Sequence, residues 1–210
     1  MAEERFDIYD EQLRPLGTAT RAETHARGYW HRTFHCWLAR REGERLFVRF
    51  QLRQAGKDTN PGCYDITAAG HLAAGETMRE AVRELEEELG VVASYEQLVP
   101  LGQIREQCSG EVNGKLFIDR EVSDVFGLLC DTPLTKLRLQ AEEVSGVYES
   151  PLDELLAMFE GAAPAAVASG VELDGDGQLR PAQREVSAEQ FVPRDTGYYI
   201  ETLIKLRDRM

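Results

Sequence analysis

The sequence predicts an α+β fold, a mixed β-sheet sandwiched between helices, on three observations. β-rich runs lie on both sides of one amphipathic helical stretch near residues 76–90. The elements read strand, helix, strands, helix, an order that suits a sheet packed between helices. The chain then closes on a second amphipathic helix over 196–210. With 210 residues and 42% apolar composition, it is long and apolar enough for one globular domain spanning 1–210. Its core is expected over about 30–160, with a hairpin extension at 4–20 and an elaboration at 161–210.

Each element has its own signal. Phe6, Ile8 and Tyr9 form a short strand, Asp10-Glu11 begins a turn, and Gly17-Thr18-Ala19 leads out of it. Thr33–Leu38 and Leu46–Leu52 are strand-like, joined by a charged turn with a glycine. After Val91 come strand-like runs over Leu101–Arg105, Leu116–Val122 and Val125–Cys130, with a turn over Cys108–Lys115. Gly146–Ser150 is a last strand before a helix, with Ser150 as cap and Pro151 at its first position. Residues 161–166 suit a short helix or a linker, and Asp174-Gly175-Asp176-Gly177 is a hairpin tip. Tyr198 and Tyr199 in the terminal helix are expected to pack rather than to cap a pocket.

The informative stretch is Gly70–Val91. At 100° per residue, Ala81, Val82, Leu85 and Leu89 fall within roughly 100° of arc, a core-facing stripe. Glu80, Glu84, Glu87 and Glu88 occupy the arc beside it. Like charges so spaced cost about 0.2–0.5 kcal/mol per pair. Acids gathered on one face suit a hard divalent cation, which takes carboxylate oxygens and water. The stretch resembles the signature box of the Nudix hydrolases: Gly70, Glu76, then Arg83-Glu84-Leu85, Glu87-Glu88 and Gly90-Val91. It departs in one respect, because six residues rather than seven separate Glu76 from Arg83. That shortening leaves the helical phase of the three later acids intact and makes the placement of Glu76 the open point.

The resemblance implies a Nudix-type α/β/α sandwich, and Mg²⁺ or Mn²⁺ held by Glu84, Glu87, Glu88 and the Gly70 carbonyl. Arg83 is expected to orient Glu87, its neighbour at i+4. An extra acid outside the box, Glu142 or Glu143, is expected as metal ligand or base. Residues about 5–155 further resemble the isopentenyl diphosphate isomerase branch of the superfamily. There the counterparts of Arg53 and Lys57 contact diphosphate, and those of His71, Asp119 and Glu121 lie at a metal site. Two features lead away from isomerisation. Ala69 stands where the isomerases carry an acid–base cysteine, and the box acids that they disrupt are whole here. The expected activity is therefore hydrolysis of a diphosphate linkage; an isomerase and a non-catalytic diphosphate sensor are the alternatives.

Composition excludes other classes. A net charge of −13 argues against a nucleic-acid polymer as partner. There is no apolar run of membrane-spanning length and no apolar leader in MAEERFDIYD. Cys36, Cys63, Cys108 and Cys130 show no CxxC pairing, which fits reduced thiols in a cytoplasm. His31 and His35, four apart on a strand, would lie roughly 13 Å apart, too far to share one ion, and are expected as structural histidines. The partner is a small-molecule diphosphate, with oligomeric state open and a homodimer among the choices. Its organic half is expected to meet loops near 20–35, 105–115 and 160–200.

Overall fold

A computed structural model describes residues 3–112 and 114–210. One mixed sheet runs through the molecule, with order β11-β10-β9-β4-β3-β1-β2 along its main path. Its strands are β1 (Arg5–Tyr9), β2 (Pro15–Thr20), β3 (Trp30–Glu42), β4 (Arg45–Arg53), β5 (Tyr64–Ile66) and β6 (Ala68–His71), followed by β7 (Val99–Val112), β8 (Lys115–Leu129), β9 (Val144–Pro151), β10 (Ala166–Leu173) and β11 (Leu179–Val186). Helices α1 (Arg21–Arg27), α2 (Arg83–Leu89), α3 (Leu152–Phe159) and α4 (Thr196–Arg209) pack against it. β3 is the axis: it pairs antiparallel with β4 and β6 and parallel with β8.

Two apolar cores lie on the sheet. One joins Trp37, Phe50 and Tyr148 to α3 and α4 through Leu155, Phe159, Leu203 and Leu206. The other packs Ala81, Val82, Leu85 and Leu89 on Phe34, Leu38 and Phe126, so the apolar stripe of the box helix is buried as its spacing requires. Glu80 leaves the acidic face: its carboxylate accepts from the Thr77 N–H at 2.9 Å and the Thr77 hydroxyl at 2.8 Å. Gly90, with φ +69°, ends α2 in the left-handed conformation that glycine adopts without strain.

Several expectations need correction. α1 forms where no helix was expected; Thr20 caps it by accepting from the Glu23 N–H, and Gly28 ends it in the left-handed region. β8 is a single strand through Ser123-Asp124, since its partners β3 and β7 hold polar and apolar positions alike in the ladder. The turn expected over Cys108–Lys115 shortens, because Cys108–Val112 belongs to β7; Asn113 lies outside the described residues. Ser150 does not cap α3. It is a buried strand residue whose hydroxyl donates to the Val167 carbonyl at 2.9 Å, and Pro151 precedes the helix without a side-chain cap. Residues 166–186 extend the same sheet through β9. Tyr198 and Tyr199 pack: the Tyr198 hydroxyl accepts from Trp37 Nε1 at 3.1 Å, and the Tyr199 ring stacks on Phe159 at 4.4 Å.

Candidate active site

The cleft forms where β6 delivers the chain to α2. A Cβ on Gly70 would lie 2.2 Å from the Glu84 carboxyl carbon and 2.3 Å from one of its oxygens, so only glycine lets that carboxylate reach the strand. Within the shortened part of the box, a 3-10 turn over Glu80–Val82 runs directly into α2. Glu76 lies within reach of Arg83. Arg83 holds it bidentately, Nε to Oε1 at 2.7 Å and Nη2 to Oε2 at 3.0 Å. The Arg83 Nη1 also reaches Glu84 at 2.8 Å and Glu87 at 2.7 Å, so this arginine organises three acids rather than Glu87 alone.

Glu88 is buried, and its carboxylate accepts weakly from the Ala69 N–H at 3.3 Å and the Gln51 amide at 3.5 Å. Burial, reinforced by Glu84, pushes Glu88 up to about 8. Burial also pushes Glu84 up to about 7; Arg83 pulls the other way and Glu87 adds to the rise. Carboxyls forced toward neutrality in a cleft are stabilised by a cation, so this donor set fits Mg²⁺ or Mn²⁺. Of the box carboxylates, Glu76, Glu84 and Glu87 are, however, held by Arg83. Among the described residues, the trios of candidate ligand atoms lying within 4.8 Å of one another are His25-His31-His71, His31-Asp119-Glu121 and His35-Glu106-Glu121, and the first two share His31 in one neighbouring cluster.

That cluster draws on four elements and was only partly visible in the sequence. His25 comes from α1, His31 from β3, His71 from the end of β6, and Asp119 and Glu121 from β8. His25 Nε2 and His31 Nε2 lie 3.4 and 3.5 Å from Asp119 Oδ1, and His71 Nε2 lies 3.3 Å from Glu121 Oε1. His25 and His31 are oriented from behind, their Nδ1 atoms 2.9 Å from the Arg21 carbonyl and 3.2 Å from the Tyr29 carbonyl. The three Nε2 atoms and Asp119 Oδ1 are all buried without a hydrogen-bond partner. Buried polar atoms are rarely left so, and four converging orphans fit a divalent cation held by imidazole and carboxylate. Burial holds His31 at about 4 and His71 at about 3, so both imidazoles are neutral and available as ligands. His31 keeps the hydrogen bond expected of a structural histidine and also faces this cluster. His35 Nδ1 lies 3.2 Å from the Tyr198 hydroxyl, and His35 also forms a trio with Glu106 and Glu121.

The anticipated cationic arms face the same 340 Å³ cleft, which is lined by residues of the box and of the histidine cluster. Arg53 is fixed by Asp65 at 3.1 Å and by the Thr59 carbonyl at 2.9 Å. Lys57 pairs with Glu143, which separates the two outer acids, since Glu143 lines the cleft and Glu142 is exposed outside it. Asp65 and Arg194 escaped the sequence reading. Asp65 is buried and accepts from Arg53 and, at 2.6 Å, from Arg194. These two residues are 129 positions apart, with no local pattern to join them.

Fold and site together define a Nudix-class protein, with an acid-bearing helix below a cation-lined cleft. The NUDIX domain profile matches residues 29–169. The chain is 36% identical over 208 residues to an uncharacterised Nudix hydrolase of Clostridium acetobutylicum, covering 99% of both chains. It is 30% identical over 158 residues to an isopentenyl-diphosphate Delta-isomerase of Salmonella arizonae, covering 74% of this chain and 81% of that one. Among solved structures, a Deinococcus radiodurans protein, DR0079, superposes with a TM-score of 0.53 at 22% identity, covering 75% of this chain and 90% of that one. The chain belongs to the Nudix hydrolase family.

Proposed function

We propose that this chain is a divalent-cation-dependent hydrolase that cleaves the diphosphate linkage of an organic diphosphate. The observation that carries the reading is the acidic face of the box: Glu84, Glu87 and Glu88 line one cleft together with Arg53 and Lys57. Mg²⁺ or Mn²⁺ bound by Glu84, Glu87, Glu88 and the Gly70 carbonyl supplies charge neutralisation and an acidified water. The chain's own residues do the rest. Arg53 and Lys57 hold the distal phosphate, and Asp65 keeps Arg53 aimed. Arg83 keeps Glu76, Glu84 and Glu87 in register. Lys57 turning to phosphate frees Glu143, which then serves as the acid outside the box, accepting a proton from water. His25, His31, His71, Asp119 and Glu121 would hold a second cation beside the cleft, which His71, Asp119 and Glu121 line.

That second cluster favours one other reading, isomerisation of isopentenyl diphosphate, the activity named for the Salmonella relative. Ala69 opposes it, because a methyl group can neither give nor take the proton that moving a double bond requires. The four cysteines are free, which supports a reducing, cytoplasmic setting. Among the described residues no helix is long and apolar enough to cross a membrane. A panel of organic diphosphates incubated with Mg²⁺ or Mn²⁺, with the phosphate and phosphomonoester products of cleavage and dimethylallyl diphosphate all measured, tests the assignment. Isomer formation without cleavage products would replace it.

A further inference from the structure

The segment between β11 and α4 enters the cleft at one point. Phe191 pairs in parallel with Tyr64 of β5, and the Val192 N–H donates to the Tyr64 carbonyl at 2.8 Å. From the other side, the Tyr199 hydroxyl of α4 donates to the Val192 carbonyl at 2.7 Å, and Asp195 caps α4 by accepting from the Gly197 N–H at 2.8 Å. Held at both ends, the segment delivers Arg194 beside Asp65, which follows Tyr64 in β5. The Arg194 side chain is only 12% exposed, and its guanidinium lies 5.7 Å from the centre of the Tyr198 ring. Arg53 and Lys57 line the phosphate cleft alone, whereas Arg194 also lines an adjoining cavity of 550 Å³, so it stands at the mouth between the two.

Their donors distinguish the two arginines. Arg53 commits all three of its nitrogens: Nε to the Asn60 carbonyl at 3.2 Å, Nη1 to Asp65 at 3.1 Å and Nη2 to the Thr59 carbonyl at 2.9 Å. Arg194 commits two: Nη1 donates to Asp65 Oδ1 at 2.6 Å and to the Tyr199 hydroxyl at 3.4 Å, and Nε donates to Glu106 at 3.3 Å. The Arg194 Nη2 has no partner among the described residues and is not one of the buried orphan atoms, so its N–H groups face open cavity. Glu106 stays with Arg194 rather than joining His35 and Glu121 around an ion. The Tyr198 hydroxyl accepts from Trp37 Nε1, so its own hydrogen goes to His35 Nδ1. His35 Nε2 then carries the ring hydrogen, and a ring nitrogen that donates is not a metal ligand. We propose that Arg194 is a substrate-contacting residue, its Nη2 donating to the phosphate oxygens of a diphosphate bound in the cleft. The residue lies outside 29–169, the stretch that matches the Nudix profile, so the C-terminal elaboration completes the phosphate site. The proposal rests on the diphosphate-hydrolase reading for the nature of the ligand.

The probe is methylenediphosphonate, a diphosphate analogue that water does not cleave, titrated by calorimetry in Mg²⁺ into the full chain and its variants. Arg194→Lys keeps a cation against Asp65 but offers one nitrogen in place of the fork. Arg194→Gln removes the charge as well. Both are expected to weaken binding by about tenfold or more, as loss of a hydrogen bond to a charged group does, with the Arg194→Lys protein melting close to the unaltered one. Retained affinity in a folded Arg194→Lys protein means that Arg194 serves only as a counter-ion for Asp65, and overturns the proposal. If both variants fail to fold, Asp65→Asn with Arg194→Gln removes the buried charges as a pair. Asp65→Asn alone is then the reference, and equal affinity of the two proteins overturns the proposal in the same way. No binding by the unaltered protein overturns the diphosphate reading and the Arg194 contact with it, whereas binding indifferent to Arg194 overturns the contact alone.

Discussion

Removing His31 from the five-residue cluster separates the two cation sites by thermal stability. The Nε2 atoms of His25, His31 and His71 and one Asp119 oxygen are buried without partners. Each such group costs about 1–3 kcal/mol when unsatisfied, and a bound cation satisfies all four together. At a concentration one hundred times its dissociation constant, a ligand specific for the folded state adds about 2.7 kcal/mol. In a chain of this length about 1 kcal/mol moves Tm by roughly 2–4 °C, so saturation raises Tm by about 5–11 °C. The assay is scanning calorimetry of chelator-treated protein with Mn²⁺, Zn²⁺ or Mg²⁺ added back. Imidazole ligands favour Zn²⁺ and similar ions over Mg²⁺. His31→Gln is therefore expected to abolish the Zn²⁺ shift and to spare the Mg²⁺ shift, with Glu88→Gln doing the reverse. A Zn²⁺ shift of undiminished size in a folded His31→Gln protein would refute the cluster as a metal site.

Further outcomes follow from the same geometry. Glu87→Gln and Glu88→Gln each lower kcat by at least about 100-fold while the fold survives; Glu88→Gln leaves the metal-free Tm unchanged or higher, since it removes a carboxyl that burial already penalises. Gly70→Ala pushes against the Glu84 carboxylate, and titration calorimetry should show Mg²⁺ affinity reduced by about tenfold or more. In metal-free protein the raised values of Glu84, about 7, and Glu88, about 8, mean that folding keeps protons on groups that lose them when unfolded. Their stabilising contribution is present below the ordinary glutamate range and is lost as pH rises through about 8. His31 works in the opposite sense: held at about 4, its contribution is present above 6.5 and is lost as pH falls toward 4. Denaturant titrations without metal should therefore find stability falling from pH 6.5 to 8, and saturating Mg²⁺ should flatten that fall.

What the sequence disclosed depended on how locally each feature is written. The box was legible because its acids, its apolar stripe and its closing glycine lie within one helix turn or two of each other. Leu85 and Leu89 are fully buried and Arg83 meets Glu87 as i+4 geometry requires. The one-residue shortening left Glu76 open because a linear spacing cannot show the ion pair that Arg83 makes with it. The hairpins were found where glycine and acidic turns punctuate them. β8 runs through Ser123-Asp124 because β3 pairs with it there, and β7 runs longer than expected because it pairs with β8 as far as Val112. α1 was missed for a related reason: seven residues carry too little periodicity, and its Thr20 cap and Gly28 stop were the only signals.

The histidine cluster shows the same limit at the level of chemistry. His31 and His35 were compared because they are near in sequence, whereas the residues that meet His31 arrive from α1, β6 and β8. β6 explains why the two cation sites are neighbours. Its pairing with β3 puts His71 opposite Thr33 and Gly70 opposite Phe34. Successive residues of a strand point to opposite faces. One short strand thus presents Gly70 to Glu84 and the adjacent His71 to Glu121. A shift of one residue in that register would exchange the faces and disable both sites at once. Thr67 secures the register: its hydroxyl accepts from the Leu38 N–H at 2.9 Å and donates to the Arg49 carbonyl, pinning the chain just before β6 to β3 and β4. Thr67→Val keeps the shape and removes both bonds. The expected result is loss of Mg²⁺ and Zn²⁺ binding together in a protein that still folds, and loss of only one would show that the two sites are positioned independently.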